Sequence, residues 1–187
     1  MAHALLLVDA QRDYFERPGL TPGTDDAIAA MARLLSAFRL RGWPVAHSHT
    51  LVAEDGADAM PHWQASGRIW CRAGTPGALP PETLAPRDGE PVFAKRFYSP
   101  FEDPALPRAL AENGVKRLVV AGLYTHACVR SAVTDAYASG LAVFLPTDAV
   151  ASCEPDHAAM TIAWLEGRAA RCLPTARLLA LLDGSQS

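Results

Sequence analysis

The sequence predicts an α/β fold with a parallel sheet covered by helices on both faces. Two observations carry this. Short apolar runs of strand length alternate along the chain with longer amphipathic segments of helical period, the pattern of repeated βα units. The clearest runs, Ala4 to Val8 and Leu118 to Ala121, are apolar without alternation, as strands buried on both faces are. A third observation bounds the organisation. The chain has 187 residues with no repeat, low-complexity tract or linker, which suits a single domain over residues 1–187.

Each element has its own signal. Ala4 to Val8 reads as the first strand. Asp25 to Leu40 follows as a helix, because Ile28, Met31, Leu34, Leu35 and Phe38 recur at helical spacing. Thr24 is the expected N-cap and Gly42 the expected stop. Trp43 to His47 and Pro91 to Lys95 read as strands two and three. Pro104 to Glu112 reads as a helix ended by Asn113-Gly114. Val115 to Gly122 is strand four, His126 to Ser139 a helix, and Leu141 to Leu145 strand five. Pro155 to Glu166 is a helix, Ala169 to Leu173 the last strand, and Thr175 to Leu182 the closing helix. Residues 51 to 89 hold no clear element and are rich in Pro and Gly. A connection that long is functional or hides a missed element. It is expected to form a lid or pocket wall, with a short helix around Asp58 to Ser66 as the other reading.

Composition removes several function classes. Half the residues are hydrophobic and a fifth charged, as in ordinary globular proteins, and the net charge of −3 offers no basic field for nucleic acid or anionic membrane. Cys71, Cys128, Cys153 and Cys172 include no C-x-x-C pair, so zinc-ribbon and thioredoxin-like spacings are missing. A core of this size needs no disulfides, which favours free thiols in a reducing compartment. The first apolar run is too short for a signal peptide or a membrane span, and the expected location is cytoplasmic.

Ligands of open parallel sheets bind beyond the carboxyl ends of the strands. Asp9 follows strand one, His47 and His49 strand two, Lys95 strand three, Tyr124 to Cys128 strand four and Asp148 strand five. A carboxylate, an amine and a thiol thus meet on one edge. Cys128 is placed where a strand turns into a helix. Free N–H groups and the dipole there are expected to lower its pKa, and a nearby Lys95 would do the same. By position alone, Cys128 fits a nucleophile or a small buried hydrophobe, Asp9 a base or a cap, and Lys95 a catalytic cation or a surface charge. Three complementary groups at three strand ends favour the catalytic set.

Three segments carry a family resemblance. Leu7-Val8-Asp9-Ala10-Gln11-Arg12-Asp13-Tyr14-Phe15 resembles the D-x-Q-x-D-F opening of the isochorismatase-like, nicotinamidase-related cysteine hydrolases. Lys95-Arg96-Phe97-Tyr98-Ser99-Pro100-Phe101 resembles their K-x-x-x-S-x-F segment, and Gly122 to Arg130 their G-x-x-T-x-x-C-V-R block. Asp135-Ala136, Gly140, Asp148-Ala149 and His157 match as well. The resemblance spans nearly the whole chain. It implies a three-layer α/β/α Rossmann-like fold with a mostly parallel central sheet. It also implies an Asp9, Lys95 and Cys128 triad, a cis Leu123–Tyr124 peptide, and an oxyanion hole of the Tyr124 and Cys128 backbone N–H groups. A homodimer or homotetramer is expected from the same source.

Two departures shape the functional reading. Nicotinamidases bind a metal through an aspartate and histidines, whereas this chain has His47-Ser48-His49, with Trp70 where a further histidine is expected. Zinc held by His47 and His49 with Asp55 or His62 is the less favoured reading. One substrate-facing and one packing histidine is the favoured one, so no cofactor is expected. Isochorismatases proper cleave a vinyl ether and lack the cysteine, and Cys128 moves the expectation toward C–N bonds. The expected activity is thioester-forming hydrolysis of a small amide, ureido or carbamoyl compound. Gln11, Phe15, His49, Trp70, Arg72, Tyr98 and Tyr124 are the expected substrate-binding residues, with Arg72 a candidate for gripping a substrate carboxylate. A non-catalytic, ligand-binding or oligomer-forming member of the fold is the rival reading, and a redox thiol protein a third. Cys153 and Cys172 are expected to pack near the last elements, and Cys71 to be partly exposed.

Overall fold

The apolar runs assemble into one seven-stranded sheet in the structure, a computed structural model that describes residues 2–184. The two ends of the expected domain, Met1 and residues 185–187, lie outside the described residues. The strands are β1 (Ala2–Val8), β2 (Val45–Thr50), β3 (Val92–Lys95), β4 (Val115–Leu123), β5 (Ala142–Pro146), β6 (Val150–Ala151) and β7 (Arg171–Leu173). Their order is β3-β2-β1-β4-β5-β7, with β6 paired to the end of β4, and every strand pair is parallel. Order reverses beside β1, which opens a crevice at the carboxyl ends of β1 and β4.

Helices cover both faces, giving the three-layer α/β/α arrangement. Leu5, Leu7, Val119, Ala121 and Leu123 face one core together with α2 (Thr24–Leu40) and α7 (Thr175–Leu182). Ala4, Leu6, Val8, Leu118 and Val120 face the other, against α4 (Ala105–Glu112), α5 (Arg130–Ala138) and α6 (Pro155–Leu165). Burial on both faces is the reason these strands read as unbroken apolar runs. On α2 the buried residues Ala27, Met31, Leu34, Leu35 and Phe38 form the inward stripe. Its N-cap is Gly23, not Thr24. The Thr24 hydroxyl instead donates to Phe15 O at 2.9 Å, tying the helix start to the preceding turn.

Several other boundaries shift by a residue or two and β6 is an added strand, but two differences bear on the site. Strand β2 continues past His47 to Thr50, because β3 pairs with it from His47↔Val92 to Thr50↔Lys95. Its polar ending, His47-Ser48-His49-Thr50, lacks the apolar signature of a buried strand. The helix after β4 does not begin directly. A wide π turn, Thr125–Val129, precedes α5. The Leu123–Tyr124 peptide is cis.

Residues 51 to 89 are ordered against the first core by Val52, Ala59, Met60, Trp63, Cys71, Ala78 and Leu84, all buried. They contain a short helix, α3 (Pro61–Ser66), inside the span where one was suspected. Cys71 is fully buried, not partly exposed. Its N–H donates to Asp13 Oδ2 at 2.6 Å, and the Asp13 carboxylate also fills the space a side chain at Gly77 would need.

A part-buried charge cluster clamps the far end of this segment. Glu90 accepts from Arg39 Nε at 2.7 Å and Nη2 at 2.8 Å, and contacts His47 Nε2 at 2.9 Å. Burial pushes Glu90 up, but Arg39, the Arg87 N–H and His47 outweigh it and hold its pKa at about 2, against an ordinary 4.5. The folded state therefore keeps this carboxylate charged at pH values where the unfolded chain protonates it. Its contribution is complete above about 4.5 and is lost as pH falls toward 2. Glu90→Gln is expected to cost about 2 kcal/mol near neutral pH, after allowance for solvent at the cluster's outer edge. Denaturant titrations should show the gap to wild type narrowing by more than half between pH 5 and 3. A gap that stays constant over that range would refute the assignment.

Candidate active site

Four strand ends build the site. Asp9 leaves β1 with a left-handed φ of 50°, its N–H bonded to Ser48 O at 2.7 Å. This bend turns a fully buried carboxylate toward the ends of β2 and β3. Asp9 Oδ1 accepts from Thr50 N at 2.8 Å and Thr50 Oγ1 at 3.0 Å. Asp9 Oδ2 accepts from Lys95 Nζ at 2.7 Å. Lys95 Nζ also reaches Thr50 Oγ1 and Phe97 O, each at 2.9 Å, and Cys128 Sγ at 3.4 Å. The ammonium thus bridges carboxylate and thiol.

Electrostatics here follow from burial. Burial opposes the Lys95 charge, yet Asp9 and Cys128 outweigh it and raise the ammonium's pKa, so it stays charged. Burial and the adjacent Asp9 carboxylate push the Cys128 thiol up, and Lys95 offsets only part of this. The expected lowering of the Cys128 pKa is therefore reversed. The dipole argument took the thiol to sit at a solvated helix start, but Cys128 is only 5% exposed and lies beside a carboxylate. The resting site is a neutral thiol next to an Asp9–Lys95 ion pair.

Cys128 lines a cavity of about 350 Å³, and Asp9 and Lys95 lie behind it. Tyr14, Tyr124 and Trp63 supply aromatic wall, Tyr98 stands at the rim 44% exposed, and Met60 and His62 come from the 51–89 segment. That segment does wall the cavity.

The expected substrate-binding residues divide. Tyr98 and Tyr124 line the cavity. Gln11 does not. It is fully buried and braces the strand ends, accepting from Thr50 N at 2.9 Å and donating to Thr50 O and Ala78 O at 2.8 Å each. Phe15 belongs to the core. Trp70 lies beyond the cavity wall, edge-on to Trp63 at 5.1 Å. Arg72 is outside too, donating to Glu54 O at 3.3 Å beside the chain at Gly56. Asp148 faces away from the site and caps α7 through Thr175 N at 2.7 Å.

His49 is half-buried and off the cavity, with its Nε2 buried and unpartnered, and burial lowers its pKa to about 4. His47 is turned to Glu90, and Asp55 is engaged by Ala57 N. Among the described residues, no group of three or more His, Cys, Asp or Glu is placed to hold a metal ion.

Thr50 escaped the sequence, and Ser99, matched there as the serine of the K-x-x-x-S-x-F segment, had no expected role. Thr50 bridges Asp9 and Lys95, and only its register opposite Lys95 reveals this. Ser99 donates to Asp135 and accepts from Phe101 N, tying the segment after Lys95 to the helix that follows Cys128. No helix among the described residues is long and apolar enough to cross a membrane.

Sheet and cluster together define a three-layer α/β/α protein that presents a buried thiol, backed by an ion pair, to a small cavity at the carboxyl edge. Known proteins agree with that class. The family model of the isochorismatase domain matches residues 3–177. An uncharacterized isochorismatase family protein of Bacillus subtilis, YddQ, is 31% identical over 81% of this chain and 79% of its own length. The maleamate amidohydrolase of Pseudomonas putida is 30% identical over 82% of this chain and 74% of its own. A crystal structure of an isochorismatase family protein from Desulfovibrio vulgaris superposes with a TM-score of 0.86 at 31% identity, over 97% of this chain and 98% of that one. The chain belongs to the isochorismatase family, whose members are hydrolases.

Proposed function

We propose that this protein hydrolyses a C–N bond of a small carboxamide, ureido or carbamoyl compound through a thioester on Cys128. The observation that carries the reading is the Lys95 ammonium held between Asp9 at 2.7 Å and Cys128 at 3.4 Å, with the thiol facing the cavity. Asp9 accepts the Sγ proton, and the thiolate attacks the substrate carbonyl. The Tyr124 and Cys128 backbone N–H groups take the oxyanion. The C–N bond breaks as Asp9 returns the proton to the leaving nitrogen. Water then attacks the thioester, giving its proton to Asp9, and the acid leaves as the thiol is restored. Lys95 holds Asp9 in place and stabilises the transient thiolate. A thiol kept neutral at rest and freed only by a positioned base suits this order of events. Similarity to an amidohydrolase supports the bond type.

The test combines two readouts. A panel of small amides and carbamoyl compounds is scored for ammonia release, and turnover is quenched in acid for peptide mass spectrometry. The expected result is ammonia release with an acyl mass on the peptide containing Cys128. Turnover with the acyl group on no cysteine would overturn the mechanism.

A further inference from the structure

Among the described residues, Arg17 is the one arginine that lines the cavity at Cys128. It is half-buried, and its guanidinium lies over two rings, 4.9 Å from the Trp70 centroid and 5.5 Å from the Tyr124 centroid. Both rings are themselves fixed. Trp70 packs edge-on against Trp63, and the Tyr124 hydroxyl donates to Tyr14 O at 2.9 Å. Ring faces hold a guanidinium without using its N–H donors, which point outward in its plane. Those donors are not consumed by protein charge. Among the described residues, no carboxylate lies within ion-pair distance of Arg17. Glu154, the acidic residue on the same cavity, is held by His157 Nδ1 at 2.9 Å and His126 Nε2 at 3.5 Å.

From this arrangement we infer that Arg17 is a substrate-binding residue that selects amides carrying a carboxylate. The inference rests on the C–N hydrolysis reading for the reacting end of the substrate. A cation held over two rings, with no carboxylate partner among the described residues, offers a planar fork that matches the two oxygens of a carboxylate. Tyr124 links the two ends of the substrate. Its ring supports Arg17, and its N–H belongs to the proposed oxyanion hole. The preferred substrate is then a short molecule with a carbamoyl group at one end and a carboxylate at the other. The sequence pointed to Arg72 for this task. Arg17 takes it because the turn after α1 (Arg12–Phe15) brings residue 17 over Tyr124, which no spacing rule shows.

Half-amides of C4 and C5 dicarboxylic acids are compared with the matching diamides, and succinate binding to a Cys128→Ala variant is measured by calorimetry. Charge-assisted paired hydrogen bonds predict that wild type favours half-amides by about 10- to 100-fold in kcat/KM. Arg17→Met should remove that preference mainly through KM, lowering kcat/KM on half-amides at least about tenfold more than on diamides, while Arg17→Lys recovers part of it. Adding Arg17→Met to Cys128→Ala should weaken succinate binding by about tenfold or more. Equal loss on half-amide and diamide, or succinate binding indifferent to Arg17, overturns the inference. Arg17-dependent succinate binding without turnover of any amide would leave the inference standing and sink the proposed reaction. Turnover without preference for the anionic substrate would do the opposite.

Discussion

Cys128→Ser is expected to lose at least about 10⁴-fold in kcat/KM, more than 5 kcal/mol of transition-state stabilisation, while the fold stays intact. The reason lies in the proton balance of the site. Even a thiol is held in its neutral form here, because burial and Asp9 act against the thiolate and Lys95 compensates only in part. A serine hydroxyl starts far less acidic than a thiol, so the same base and the same ammonium leave it effectively unionised. Size does not explain the loss, since oxygen is smaller than sulfur and Cys128 packs in a wide turn at the cavity edge. Thermal unfolding should therefore move by no more than about 3 °C, roughly 1 kcal/mol for a chain of this length. Steady-state rates and a melting curve on the same preparation decide it. A serine variant within tenfold of wild type would mean that Sγ is not the attacking atom.

Where the sequence was legible, and where it was not, follows from the range of the interactions concerned. Strand ends are local features, so Asp9, Lys95 and the Cys128 turn could be placed on one edge from apolar runs alone, and the structure brings the three together. The pKa of Cys128 is a property of what surrounds it in space. Reading the turn as an open helix start inverted the direction, because nothing local in the sequence reports burial. Substrate contacts failed for the same reason. Gln11 lies two residues after Asp9, where a pocket residue is reasonable, yet the β2 end at Thr50 and the chain at Ala78 absorb its amide. Cation placement was equally opaque. Arg17 and Arg72 differ in use because one crosses the Tyr124 and Trp70 rings and the other packs at Gly56. The two residues sit in polar loops and read alike one at a time.

Gly122→Ala is expected to be the most damaging single methyl in the chain's central sheet. Gly122 pairs with Val8 where β1 and β4 deliver Asp9 and Tyr124 to the site. Its φ of 126° lies in a region that side chains rarely adopt, and a Cβ there would fall 1.9 Å from Val8 O. That oxygen is backbone in the middle of a parallel sheet, so no side chain can rotate away and the two strands must part. Strain of this kind belongs with the few substitutions that cost more than about 4 kcal/mol. The expected drop in Tm is about 10 °C or more, or loss of folded protein altogether. Gly42 separates the two causes. Its φ is also positive, at 62°, but nothing lies within 4 Å of the added Cβ. Gly42→Ala therefore carries the backbone cost alone, about 1 kcal/mol. Measured side by side, Gly122→Ala should fall well below Gly42→Ala in thermal stability. It should also lose activity beyond what its stability explains, because parting β1 from β4 moves Asp9 relative to Cys128. Equal melting temperatures for the two variants would show that β1 and β4 can separate at little cost, and that the close approach at Gly122 does not hold the site together.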